Sequence, residues 1–243
     1  MKKNYLLIFL FFAIFISGPI YCQTQGDIAI IGFNADGDKD FAIVVLSDIT
    51  ANSTIYFTDD ETTGIGTPST LSGSEGTITW LTGPNDIKAG TTVVFTDVGS
   101  SSNLNFGASI GSISRSGSFG LSSSKDGIIA FLGTDKDTPT TYLAGLQIGN
   151  DSNQLGPFDG DAITLTNTGL VIGTSIVVVD NTASPDGGTY NGSRSSESSY
   201  SSYYALLENN SNWSTTGSNG EIYLPFSQEA FTINSTTWTG ASS

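Results

Sequence analysis

Short runs of Ile, Val, Phe, Ala and Tyr recur along the chain, each closed off by Gly, Asp, Asn or Ser. The spacing predicts strands at 27–33, 41–48, 54–58, 76–81, 91–96, 127–132, 140–147, 162–165, 175–180 and 230–233. Period-two alternation is plain in "STIYFTD", where Ile55 and Phe57 face one way and Thr54, Tyr56 and Thr58 the other. "TITWL" and "TVVFTD" read alike, with Trp80 placed in the core. Many short strands with regular turn signals predict an all-β sandwich.

One segment has helical spacing. In "SESSYSSYYALLENNSNW", Tyr200, Tyr203, Tyr204 and Leu207 fall on one face, with Ser195 or Ser196 as N-cap and Asn209–Asn210 as the stop. A short helix over 198–208 packed on the sandwich is the expectation, with Trp213 against it. The same aromatics, Tyr200, Tyr203, Tyr204 and Trp213, are also the candidates for a glycan-stacking surface. Two polar stretches, 97–124 and 180–197, are expected to be long loops; the first carries apolar anchors such as Phe106, Phe119 and Leu121.

The N-terminus changes the compartment. Lys2 and Lys3 precede an apolar run from Tyr5 to Ile16, broken by Ser17, Gly18 and Pro19. This is the pattern of a secretory signal peptide over 1–22, too short for a comfortable membrane span. Cleavage after Cys22 leaves Gln23 first. The rival is a lipoprotein acylated on Cys22, which Pro19-Ile20-Tyr21 suits poorly. The remaining 23–235 is within reach of one β domain, secreted or held at the cell surface, with no further apolar stretch of membrane length.

Charge and missing residue types narrow the chemistry. The chain has 8 basic and 23 acidic residues; without Lys2 and Lys3 the net charge falls from −15 to −17. That repels nucleic acid and anionic lipid and suits divalent cations. Histidine is absent, and Cys22 is the only cysteine. Histidine-dependent and thiol nucleophilic systems are thereby excluded from the exported chain, as is the commonest zinc ligand.

What chemistry remains is carboxylate. In "GFNADGDKDFAIVVLSD", Asp36, Asp38 and Asp40 alternate between two apolar runs. Asp36-Gly37-Asp38 is a strong hairpin turn signal. The same acids could ligate calcium, which takes six to eight oxygens. An EF-hand frame fails, because its required Gly falls on Lys39 or Phe41 and its Glu on Val45 or Ser47. A second group, "FTDDETT", supplies Asp59, Asp60 and Glu61, with Glu75 after a polar loop. If strand ends converge, Asp36, Asp38, Asp40, Asp59 and Glu75 are the candidate calcium ligands. Two such acids could also form a glycosidase pair, although nothing else in the sequence accompanies that reading. Five Asn-Xaa-Ser/Thr acceptor sites, at Asn52, Asn191, Asn209, Asn212 and Asn234, match by composition.

Taken in order, "GDIAIIGFNADGDKDFAIVVLSDITANSTIYFTDDE", Glu75-Gly76, Trp80, Ala89-Gly90-Thr91, "VVVDN", "YNGSRS" and "NNSNW" resemble a lamin-tail-like module of secreted and surface bacterial proteins, especially of Bacteroidetes. The resemblance covers residues 26 to about 233. It implies an immunoglobulin-like β-sandwich with a noncatalytic role in adhesion, binding or scaffolding, toward an extracellular glycan or a surface protein, and it carries over no catalytic residue. The ending "TTWTGASS", 236–243, resembles the start of a further repeated module, which would make the chain an incomplete product with a sorting signal beyond Ser243.

Overall fold

A computed structural model describes residues 22–122, 126–149, 155–156, 158, 163–179, 185–217 and 226–234. The expected signal peptide (all but Cys22), the 236–243 tail and Trp238 lie outside the described residues.

The continuous runs "IAIIGFN" and "DFAIVV" form β1 (Ile28–Asn34) and β2 (Asp40–Val45), an antiparallel hairpin in which every residue is buried. Alternation is lost because both faces of these strands are covered. β3 (Thr54–Thr58), β4 (Thr77–Leu81) and β5 (Thr92–Thr96) follow close to expectation. β6 (Gly107–Ala108) and β7 (Ser112–Ser116) come next, then the long pair β8 (Asp126–Asp135) and β9 (Thr138–Ile148). β10 (Ile176–Val179), β11 (Gly187–Tyr190) and β12 (Trp213–Thr215) complete the set.

The strands make two six-stranded sheets, ordered β12-β11-β1-β2-β5-β6 and β10-β9-β8-β3-β4-β7. This is an all-β sandwich. All pairings are antiparallel except β9 with β10. Phe41, Phe57, Trp80 and Phe95 meet between the sheets, with Phe41 stacked on Phe95 at 4.4 Å and Trp80 edge-on to Phe95 at 5.4 Å.

The outer face of the first sheet is roofed by the C-terminal part of the chain. Helix α1 (Tyr203–Leu207) buries Tyr203, Tyr204 and Leu207, and the Tyr204 hydroxyl donates to the carbonyl of Ile28. An extended strap, 226–234, adds Phe226 and Phe231. Arg194 lies over the Phe231 ring at 4.8 Å and donates to the carbonyl of Glu229 at 2.6 Å, fixing the strap. A smaller cluster of Phe131, Tyr142, Ile163, Leu170 and Ile176 covers the second sheet.

Several expectations are corrected. Residues 230–233 form no strand; they belong to the strap, with single backbone bonds such as Phe231 N–H to Gly90 O at 2.8 Å. Of the strand expected at 162–165, the described residues 163–165 make only an isolated bridge, Leu155 to Thr164. Conversely, the stretches expected as loops contain β6, β7 and β11, whose Ser- and Gly-rich sequences carry little strand propensity and are held by neighbouring strands. The helix is shorter than 198–208. Its N-cap is Ser202, where the Ser199 side chain accepts from the Ser202 amide and shares a hydrogen bond with the Ser202 hydroxyl. A 3-10 turn, Asn210–Asn212, follows it.

Candidate functional site

The β1–β2 connection is a turn, with Gly37 and Lys39 at positive φ. Asp36 accepts from the amide of Gly37 at 2.9 Å. Asp38 accepts from the Asn103 carboxamide at 3.0 Å, and its carbonyl takes the amide of Gly99 at 2.8 Å. Asp40 is buried; it accepts from the Asp97 amide at 2.8 Å and the Asn34 carboxamide at 3.1 Å. Asp38 and Asp40 tie the hairpin to the loop after β5, while Asp36 stays within the turn.

Asp59 and Glu75 sit in a different group, built by the connection between β3 and β4 and by the start of β8. Asp59 is buried, accepting from the Gly76 amide at 3.1 Å and from the Gly120 amide. Gly76 lies so close to the 118–119 backbone that a Cβ there would stand 2.2 Å from the Phe119 nitrogen. The close approach of that loop is thus what brings Gly120 onto Asp59. Asp60, also buried, accepts from Gly73 N–H at 2.6 Å and from Ser72 Oγ, which also reaches Glu61 Oε2 at 3.0 Å. Asp126 accepts from the Ser122 and Gly127 amides, both at 2.6 Å.

Carboxylate oxygens of Asp60, Glu61 and Glu75 all lie within 4.8 Å of one another. This is the one such group among the described residues. A cavity of about 270 Å³ opens beside it, bordered by Asp60, Glu75 and Lys136. Lys136 itself is engaged with Asp137 at 2.6 Å. No ion pair to Asp59, Asp60, Glu75 or Asp126 forms among the described residues.

Crowded acids without cations resist ionisation. Burial pushes Asp59 up to about 6 and Asp126 up to about 7. Glu75, at the exposed rim, is pushed up to about 8, first by desolvation and then by the fields of Asp59, Asp126, Glu61 and Asp60. A cation seated among these oxygens would favour their ionised form.

The five expected calcium ligands are thus divided. Asp59 and Glu75 are brought together with Asp60 and Glu61, while Asp36, Asp38 and Asp40 serve the hairpin. Asp126 was missed in the sequence; its signal is an Asp-Gly step before the apolar run "IIAF", the same cue that marks Asp36-Gly37.

Three of the four aromatic candidates are corrected. Tyr203, Tyr204 and Trp213 are buried; their polar tips donate to the carbonyls of Thr232, Ile28 and Leu207. Helical spacing here marks a core-facing stripe, and only Tyr200 stays half-buried. They do not form a stacking row.

At the opposite end of β4 a larger cleft, of about 900 Å³, lies between the 82–88 loop and the 110–112 turn. Among the described residues, no helix is long and apolar enough to cross a membrane. The chain matches no family model, no curated protein and no solved structure.

Proposed function

We propose that the chain is a noncatalytic adhesion or binding module of an exported, surface-associated protein, lamin-tail-like in build, whose acidic end takes calcium. The observation that carries the cation is the convergence of Asp60, Glu61 and Glu75 with no ion pair to Asp60 or Glu75 among the described residues. An oxygen-only donor set of carboxylates, with water filling the remaining positions, is the chemistry of a hard divalent ion. Asp59 stands behind it, holding Gly76 and Gly120 in place. The module reading rests on the ordered motifs of the sequence and on the carboxylates being tied largely to backbone amides.

A carboxylate hydrolase is the second reading, favoured by the raised pKa values of Asp59, Glu75 and Asp126. The adjoining cavity, about 270 Å³, falls below the usual size of a ligand pocket.

The test is thermal melting of the chain in EDTA and in millimolar calcium. Calcium at 100 times its Kd adds about 2.7 kcal/mol. The expected result is a higher melting temperature with calcium, abolished in Asp60→Asn/Glu75→Gln and retained in Asp36→Asn/Asp38→Asn. A melt indifferent to calcium overturns the cation site.

A further inference from the structure

We infer that the cleft beyond the end of β4 is a docking site for an extended segment of another protein, one presenting an aliphatic side chain beside a basic residue. This deepens the reading of the chain as a binding module and rests on it.

The walls of the cleft are held by the main chain. On one side, Asn52 N–H donates to Gly83 O at 2.6 Å and Thr82 N–H to Ser53 O at 3.0 Å. Ile49 and Ile87 exchange two bonds at 2.8 and 2.9 Å, and Ala51 N–H donates to Asp86 Oδ1 at 3.0 Å. On the other side, the buried Trp80 indole donates to Ile110 O at 2.8 Å. Gly111, at φ 78°, passes so near Leu81 that a Cβ would stand 2.2 Å from its carbonyl oxygen. A site built this way needs little ordering when a ligand arrives.

The floor is apolar and bare. Leu81 is 49 % exposed, because its neighbours across the sheet are Thr54 and Ser112, too short to cover it. Pro84 and Ile110 extend the apolar surface. No aromatic ring lines the cleft, so a sugar ring or a base finds nothing to stack on. The one cation, Lys88, is engaged by Asp48 at 2.7 Å and Asp86 at 3.7 Å, which disfavours a carboxylate or phosphate ligand.

What the rim offers fits a peptide. The side-chain carboxamides of Asn52 and Asn85 make no hydrogen bond to another described residue. Each presents a donor and an acceptor side by side, the same pair that a peptide amide presents. Asp86 lines the cleft and Asp48, outside the lining, bonds Lys88 at 2.7 Å, so carboxylates outnumber the lysine locally on a chain of net charge −15, and a basic residue next to the aliphatic one is favoured.

The experiment is an NMR amide titration of the 15N-labelled chain with three peptides, Ac-GKVLVKG-NH2, Ac-GEVLVEG-NH2 and Ac-GKGGGKG-NH2, and with maltohexaose. Saturable shifts are expected at Asn52, Leu81, Gly83, Asn85 and Gly111 with the first peptide. Affinity should be at least about tenfold weaker for the other two, a difference of about 1.4 kcal/mol. Leu81→Lys should abolish the response while leaving the melt intact. Should that variant misfold, Asn85→Ala serves instead, with affinity reduced several-fold. Equal response to the acidic peptide, a response to maltohexaose in place of peptide, or no saturable shift at the cleft overturns the assignment. The calcium-dependent melt is unaffected by any of these outcomes, so failure of the cleft and failure of the calcium-bound module are read separately.

Discussion

The two ends of β4 are held by opposite means. At Thr77 the surroundings are carboxylates gathered by backbone amides, with Asp59 and Asp60 buried and Glu75 at the rim. At Leu81 the surroundings are main-chain bonds between loops, with an apolar floor and a single, largely exposed ion-pair cluster. Buried acids with raised pKa values make the stability of the first end depend on protons. The second end has no such group, so its shape should persist across conditions. A condition-dependent end and a preformed end on one strand would let the proposed binding module be stabilised by its medium without altering the surface it presents.

Removing the strut between them has the largest expected effect. Trp80 is fully buried, touches Phe57 and Phe95, and anchors Ile110. Trp80→Ala should cost about 3–5 kcal/mol in urea unfolding. It should also broaden the amide signals of 110–112 while those of Gly73, Gly76 and Gly120 keep their positions. Equal disturbance at both ends would mean they are not independently supported.

The pH dependence separates the ends next. Asp59, Asp126 and Glu75 have folded pKa values of about 6, 7 and 8, raised from 3.8, 3.8 and 4.5. Across those windows the folded chain holds protons that the unfolded chain has released. Stability therefore falls as pH rises. In EDTA, melting temperature should decline from about pH 4 through pH 8 and level off about one unit above that, where Glu75 finishes titrating. Calcium should flatten the decline, and Asp126→Asn/Glu75→Gln should reduce it. Rising stability over that window would sink the account of the acidic end.

Both ends were partly legible in the sequence, for different reasons. The β3 and β4 strands were readable because "STIYFTD" and "TITWL" alternate or sit between clear turn signals, and the Asp59–Glu61 run was visible as a strand-end cluster. The choice among acids was not readable. Whether Asp40 or Asp60 faces Glu75 depends on which loop folds over which, and that is set by close backbone approaches such as Gly76 on Phe119. The stripe read as a helix over 198–208 is helical only over Tyr203–Leu207, and periodicity does not say which face is covered. The cleft left no motif at all: its walls are backbone, and Leu81 looks like any other strand residue. β7, "SISRS", was hidden for a related reason, since its pairing is decided by β4 rather than by its own composition.

The smallest expected effect tests the cleft end most sharply. Lys88 and Asp48 form an exposed pair at 2.7 Å, 67 % and 47 % accessible, and such pairs contribute little to folding. Mutual attraction raises the Lys88 pKa, and the Lys88 hydrogen bond holds the Asp48 pKa down. Asp48 keeps a second partner, the Ala89 amide at 2.9 Å, when the lysine is gone. Lys88→Ala should thus leave the melt unchanged within error, in low salt and in 1 M NaCl alike. Its effect should fall on binding instead. Without the lysine, Asp86 in the cleft lining and Asp48 beside it are left uncompensated, so the basic peptide should bind more tightly and the acidic one more weakly. The gain should fade with added salt as the charges are screened. A lowered melting temperature would show that the pair supports the 82–88 loop. Weaker binding of the basic peptide would overturn the charge argument for the cleft.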